Sequence, residues 1–460
     1  MVEAAATTIR DRFERSTNWP RMQVRGIRKV NEGLRDETFI DGLADFAGNR
    51  RDYLGPDRIG DLPRWFNAPL RQAKDIVRTQ EAVRKLGESE SAPAEKALLD
   101  FSRQYIGWSE FFIFFRTANF KSEASKIWAF NQTFDGMFNA LMQCGGVAER
   151  TDSVYLRTIL ETLGEVALVL DPLKARIKAA LDYRLVGTAL YPVNAAMQHL
   201  DALTTLAGVL RAGRTGGVPW TFPAIVENDF PFLQIGNGVH PLLDLQYRAS
   251  KSNPPQPVSL SLGHSRSEGP RALGTIITGP NEFGKTTVLK MIALMALLGQ
   301  MGGPVPAESL QLSPFANLLI FSSWGNQVLN RGVSGFAGEI EQWGNRDLLG
   351  PDTLLVYDEP NVTTRYWQGR ALTLSIWENL LLPSRATWAM ASHIEDGLEG
   401  FCAEHPEMQT LQVGKSFNPK SPDLPKDYSL APGVNHDEYT LPIAGQYLPE
   451  AVIAGAKKFC

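Results

Sequence analysis

Apolar side chains recur every three or four residues over 127–142 (IWAFNQTFDGMFNALM) and 155–181 (YLRTILETLGEVALVLDPLKARIKAAL). That spacing lays one stripe of an α-helix against a core. Helical texture prevails from residue 1 to about 225, with a polar loop at ESESAPAEKA (88–97). Gly and Pro in RAGRTGGVPW (211–220) mark a boundary. Beyond it the period changes. FPFLQIGNGVHPLLDL (231–246) reads as strand and turn, and SKSNPPQPVSLSLGHSRSEGPRALG (250–274) mixes alternation with loops. Short apolar runs then follow at 273–279 (LGTIITG), 318–323 (LLIFSS), 353–359 (TLLVYDE) and 386–393 (ATWAMASH), with helical stretches at 286–300 and near 367–382. Apolar strands alternating with helices predict a mostly parallel sheet covered on both faces. A helical N-terminal half thus leads into an α/β C-terminal half.

Composition narrows this only slightly. The chain has 460 residues, 43% hydrophobic and 21% charged, with a formal net charge of −4. No global excess of positive charge announces nucleic acid, although a local basic groove needs none. The three cysteines, Cys144, Cys402 and Cys460, lie far apart without the clustering a zinc site requires. Lone thiols in a chain of this size suit a reducing compartment. The start, MVEAAATTIRDRFERS, has no apolar core like a signal peptide's. The stretch 288–303 is interrupted by Lys290 and falls short of the ~20 residues a bilayer needs. A soluble cytoplasmic protein is expected.

The chemistry concentrates in TIITGPNEFGKTTVLKMIA (275–293), where a Gly-rich turn separates an apolar run from a helical one. Gly279, Gly284, Lys285 and Thr286 fit the pattern G-x-x-x-x-G-K-[ST]. The glycines let successive backbone N–H groups point inward at phosphate oxygens. Lys285 can then reach the β- and γ-phosphates, and the Thr286 hydroxyl can ligate Mg²⁺. The helix that follows aims its positive N-terminal end at the same anion. Downstream, TLLVYDE closes an apolar run with Asp358 and Glu359. Asp358 suits Mg²⁺, held through its waters, and Glu359 suits the polarisation of an attacking water. His393 ends the next predicted strand, where it can hydrogen-bond a γ-phosphate; a strand-end histidine satisfied by backbone is the plainer alternative. Mg²⁺-dependent ATP hydrolysis is the activity these residues predict.

At this point the sequence resembles the MutS family of mismatch-repair ATPases. GNGVHPLL (236–243) is similar to the family's G-x-x-HP element, and ITGPNEFGKTT to its phosphate loop. VPAESLQL (305–312) parallels its VPA segment. RGVSGFAGEIEQ (331–342) resembles its STFxxE signature, with Ser334, Phe336 and Glu339 in register. DEPNVTTRYWQG (358–369) and the SHIE that follows complete the ordered set. The resemblance also covers RWFNAPLRQAKDIVRTQEAVRKL (64–86) and the tail DYSLAPGVNHDEYTLPIAGQYLPEAVIAGAKKF (427–459), so it runs from about 36 to 460. ABC-type ATPases carry a Leu-Ser-Gly-Gly-Gln-like element, and none lies between 288 and 353.

The resemblance implies an α/β P-loop NTPase domain of the ABC-like, MutS type, preceded by a mostly α-helical core/lever domain. On that reading, 1–35 is an N-terminal extension, 36–225 the helical domain, and 226–460 the ATPase domain with a C-terminal dimerisation segment. ATP would touch Gly279, Pro280, Asn281, Gly284, Lys285, Thr286 and Thr287, with Thr286 and Asp358 holding the metal and Glu359 and His393 catalytic. Ser334 would reach the γ-phosphate held by a second copy, making ATP the join of a homodimer. Double-stranded or branched DNA is the implied partner, with no membrane involved. Core-like helices beginning near 36 leave no space for a mismatch-reading domain with its Phe-x-Glu wedge, so a reduced member is expected. FFIFF (111–115) reads as buried helical core rather than a wedge. The chain departs from the family at Glu282-Phe283 and Asn361-Val362. It also offers no aromatic for adenine between His240 and Gly274 beyond Tyr247. Phe283 could shield phosphates or pack on a partner. Two readings stay open: a DNA-clasping ATPase, or one repurposed as a protein switch or an accessory to small-molecule metabolism.

Overall fold

The structure, a computed structural model, describes residues 1–25, 65, 68–88, 93–117, 122–250, 253–263, 272–280, 283–322, 335–361, 363–414, 428–436 and 449–456. The chain divides into two compact units. One comprises Met1–Pro20, Ile40–Arg214 and Met301–Pro304; the other comprises Arg21–Phe39, Thr215–Gln300 and Val305–Cys460. The division at 214/215 precedes the expected one at 225, because the short strands at 220–225 pair within the second unit.

The first unit is helical: α1 Val2–Thr17, then (after β1, below) α2 Ala73–Glu88, α3 Pro93–Thr117, α4 Glu123–Val147, α5 Val154–Leu170, α6 Lys174–Ala180, α7 Tyr183–Ala189 and α8 Tyr191–Ala212. The apolar stripe of α5, including Leu156, Ile159, Leu163 and Val166, is fully buried. Side-chain oxygens start several helices. Ser122 and Ser125 form a reciprocal capping box on α4, and Ser153 and Asp182 cap α5 and α7. Residues 2–17, within the expected extension at 1–35, bury Ala6, Ile9 and Phe13 against α5 and α8. Phe13, Trp65 and Tyr155 surround His199, whose Nδ1 shares a hydrogen bond with the Tyr155 hydroxyl. On α3, Phe111 is half-buried beside Trp108; the side chains of 112–115 lie outside the described residues.

The second unit holds two sheets. The larger has the order β1-β8-β9-β10-β6-β11-β12. Its strands are β1 Gln23–Arg25, β6 Gly274–Thr278, β8 Asn317–Ser322, β9 Thr353–Asp358, β10 Thr387–Ala391, β11 Met408–Val413 and β12 Leu430–Pro432. All its pairings are parallel except β11 with β12. Strands β6 and β10 are buried at every position, which explains their unbroken apolar runs. The smaller sheet contains β2 Trp220–Thr221, β3 Ala224–Ile225, β4 Phe232–Gly238, β5 Val258–Gly263 and β7 Val305–Ser313. It is antiparallel at β2–β7, β4–β7 and β4–β5. Its strands interleave exposed and buried positions, as one wet face allows, so the expectation of a mostly parallel sheet holds only for the larger one.

Helices of this unit are α9 Pro241–Ser250, α10 Lys285–Gln300, α11 Gly335–Gln342, α12 Tyr366–Ile376, α13 Leu398–Glu404 and α14 Glu450–Ala456. Helix α10 buries nearly its whole length, so the apolar stretch near 290 is a core helix. No helix among the described residues is long and apolar enough to cross a membrane.

Candidate nucleotide site

Parallel strands leave their carboxyl ends open between neighbouring loops, which is where open α/β sheets take ligands. Three such ends converge here. After β6, Gly279 turns with φ +132°, and a Cβ there would lie 2.7 Å from both Val413 Cγ2 and the Val413 carbonyl oxygen. Gly284 turns again at φ +88°, and α10 begins at Lys285. Asn281 and Glu282 lie outside the described residues. The Lys285 side chain is buried, and its Nζ donates to the carbonyl oxygens of Gly279 (2.7 Å) and Pro280 (3.1 Å). Burial pushes its pKa down, while Glu359, Asp358 and Glu395 pull it back up.

Thr286, on the first turn of α10, donates its hydroxyl to Asp358 Oδ2 at 3.0 Å and Oδ1 at 3.1 Å. Burial raises the Asp358 pKa; the Thr286 bond opposes that rise and Glu359 adds to it. Beyond β9 the backbone is left-handed at Glu359 (φ +52°) and again at Asn361 (φ +58°). Such conformations persist only where surroundings enforce them, and they cluster at functional sites. Here the Glu359 N–H donates to the Ala391 carbonyl, and Asn361 Nδ2 donates to Thr373 Oγ1. His393, two residues past β10, places Nε2 2.8 Å from Glu359 Oε1. His393 therefore sits behind Glu359.

A cavity of about 800 Å³ opens over this cradle. Lys285, Thr286 and Glu359 line it together with His240, Gln256 and Tyr428, and Pro280 and Thr287 contribute too. Its size suits a drug-sized or nucleotide-sized ligand. The donor set also fits Mg²⁺, which takes hard oxygen ligands from one or two protein groups and completes its shell with water and phosphate. Thr286 and Asp358 supply a hydroxyl and a desolvated carboxylate that a divalent cation would satisfy.

Among the described residues that line the cavity, the tyrosine is Tyr428; Tyr247 is not one of them. Tyr428 sits about 150 positions from the loop in sequence, and only juxtaposition in the fold reveals it. Phe283 is fully buried within its own chain, packed on Gly414 and Tyr428, so its ring neither covers the phosphate position nor offers itself to a partner. Ser334 lies outside the described residues. Of the same motif, Phe336 is exposed on α11 and Glu339 is buried.

A strand, a glycine turn and a helix carrying a buried lysine and a hydroxyl, facing acidic residues at the end of a strand two places away in the same parallel sheet, fit a P-loop nucleotide-binding fold. Residues 275–460 match MutS domain V, the ATPase domain of the MutS family. It is 34% identical over 180 residues (38% of this chain, 20% of the relative) to a DNA mismatch repair protein MutS of Treponema denticola. To the protein of that name in Synechococcus sp. it is 28% identical over 229 residues (50% and 24%). An Endonuclease MutS2 of Halothermothrix orenii is 29% identical over 197 residues (40% and 23%). The chain thus spans about a quarter of the length of the curated relatives it matches.

Proposed function

We propose that the chain binds and hydrolyses MgATP in this cavity, as a MutS-like ATPase that dimerises through shared nucleotide sites and engages DNA. The observation that carries the reading is the pairing of Thr286 with Asp358 beside the pairing of Glu359 with His393. The loop's N–H groups and the α10 N-terminus hold the phosphates. Lys285 exchanges its two loop carbonyls for β- and γ-phosphate oxygens. Glu359, oriented by His393, takes the proton of a water whose oxygen bonds to the γ-phosphorus. The bond from that phosphorus to the bridging oxygen breaks, and ADP leaves with the electron pair. Mg²⁺, held by Thr286 and Asp358, supplies charge neutralisation on the triphosphate.

The finer assignments belong to this proposal as well. The helical unit, Met1–Pro20 with Ile40–Arg214, acts as the core/lever domain, the C-terminal segment supports dimerisation, and Ser334 completes the site of a second copy.

Calorimetry and turnover test the chemistry. Lys285→Ala should remove MgATP binding. Glu359→Gln should bind MgATP and not hydrolyse it; full turnover in that variant refutes the assigned role. Salt-dependent retention on duplex, branched and single-stranded DNA tests the partner, because phosphate-gripping proteins lose affinity steeply as salt rises. No retention at low salt with ATP present would move the chain to a protein-switch or metabolic-accessory role and leave the ATPase intact.

A further inference from the structure

The Val413–Gly414 end of β11 underlies both ends of the phosphate loop. Val413 fills the space a Gly279 side chain would take. Gly414, left-handed at φ +75°, lies under the Phe283 ring: a Cβ there would meet Cδ1, Cγ and Cε1 at 2.9, 3.3 and 3.4 Å. Asn435 ties the same segment in place, its N–H donating to Thr278 Oγ1 and its Nδ2 to the Val413 carbonyl, both at 2.9 Å. Above Phe283 stands Tyr428, with ring centroids 6.4 Å apart at 44°. Tyr428 is 39% exposed, lines the cavity, and sits 3.3 Å from where a Gly284 side chain would start. Its N–H donates to Gln256 Oε1 (2.8 Å), another lining residue.

We propose that Phe283 is a positioning residue for the nucleotide: a buried pin that locks the phosphate loop to the Val413–Gly414 turn and holds Tyr428 as the cavity wall beside Gly284. The inference rests on the nucleotide reading of the cavity and specifies how that cavity is kept preformed. A loop flanked by glycines samples many conformations, and a ligand that must first order it loses affinity. A large ring seated on Gly414 removes that freedom before the ligand arrives. The acid–base groups Glu359 and His393 belong to the ends of β9 and β10, so the pin acts on binding rather than on the chemical step.

The test is steady-state ATP hydrolysis and MgATP calorimetry on the full chain, with Phe283→Ala, Phe283→Leu, Tyr428→Ala and the double variant Phe283→Ala/Tyr428→Ala. Phe283→Ala should raise KM about tenfold with kcat within about twofold, and Phe283→Leu should recover most of the loss. Tyr428→Ala should raise KM similarly, with the double variant no worse than the poorer single, since one acts through the other. A lowered Tm with unchanged KM in Phe283→Ala, or single effects that multiply in the double, overturns the proposal. Should Phe283→Ala not fold, Phe283→Leu and Tyr428→Ala decide it, and an unchanged KM in both overturns it. A wild-type chain that binds no MgATP sinks the nucleotide reading and this inference together; normal wild-type binding with unaltered variants sinks only the inference.

Discussion

His240 shows how one side chain couples the cavity to stability. It precedes α9, its Nδ1 accepts the Leu243 N–H at 3.4 Å, and it is 7% exposed. Burial, with Lys290 nearby adding to the effect, pushes its pKa down to about 3. The folded chain therefore binds fewer protons than the unfolded one between that value and the ordinary 6.5, so stability is lost as pH falls through this window. From 6.5 down to pH 5 the loss is roughly 2 kcal/mol at about 1.4 kcal/mol per pH unit. His240→Gln has no proton to gain. Urea unfolding at pH 7 and pH 5 should show the wild type losing about 2 kcal/mol more than this variant. Equal losses would mean that the imidazole is hydrated in the folded state. His436 has the opposite sign, because Glu399 raises its pKa, but that pair is exposed and screened.

Among the elements, α9 carries a second consequence. Arg248 donates through Nε to Asp244 Oδ2 at 2.6 Å, with side chains 6% and 1% exposed. Trp220 Nε1 donates to the same oxygen, and the Arg248 guanidinium also reaches the carbonyls of Thr215 and Val218. Removing one partner of a buried pair leaves the other charged and desolvated, at about 3–5 kcal/mol. Arg248→Met should therefore lower unfolding free energy by about that much. Lys178→Met, which breaks the half-exposed pair with Asp135, should cost about 0–1 kcal/mol. Equal effects in denaturant titrations would refute the distinction.

Helices α4 and α5 and strands β6, β9 and β10 announce themselves because burial of a stripe or of both faces leaves a local pattern. The glycine-flanked loop at 279–284 is legible through spacing, and its approach to Asp358 depends on a sheet order that sets only β10 between β6 and β9. Other features are written elsewhere in the chain. Strand β1 is three residues that gain their role only by pairing with Asn317–Leu319. Helix α1 did carry a signal, since Ala6, Ile9 and Phe13 recur at helical spacing, and that stripe is what it buries. Tyr428 and Gln256 have no local pattern, because a cavity wall depends on which loops the fold brings together.

At the scale of the whole molecule, α11 places its polarity against expectation. Glu339 is buried and its carboxylate oxygens accept no hydrogen bond among the described residues, while Phe336 and Ile340, one turn apart, are 38% and 39% exposed. An apolar pair facing water beside the segment that contains Ser334 suits coverage by a second copy of the chain. If Ser334 serves its partner's nucleotide, MgATP should shift the chain from monomer to dimer in sedimentation velocity, and Phe336→Asp should weaken that shift. Complementation is the sharper test. Lys285→Ala and Ser334→Ala chains should each be inactive alone. Mixed in equal amounts, half of the dimers pair unlike chains, and each such dimer holds one intact site, formed by the loop of one chain and Ser334 of the other. Activity should therefore return to about a quarter of the wild-type value, as two-fold symmetry with one site per loop requires. Mixtures that stay inactive at concentrations where dimers form would place Ser334 in the site of its own chain or outside any site.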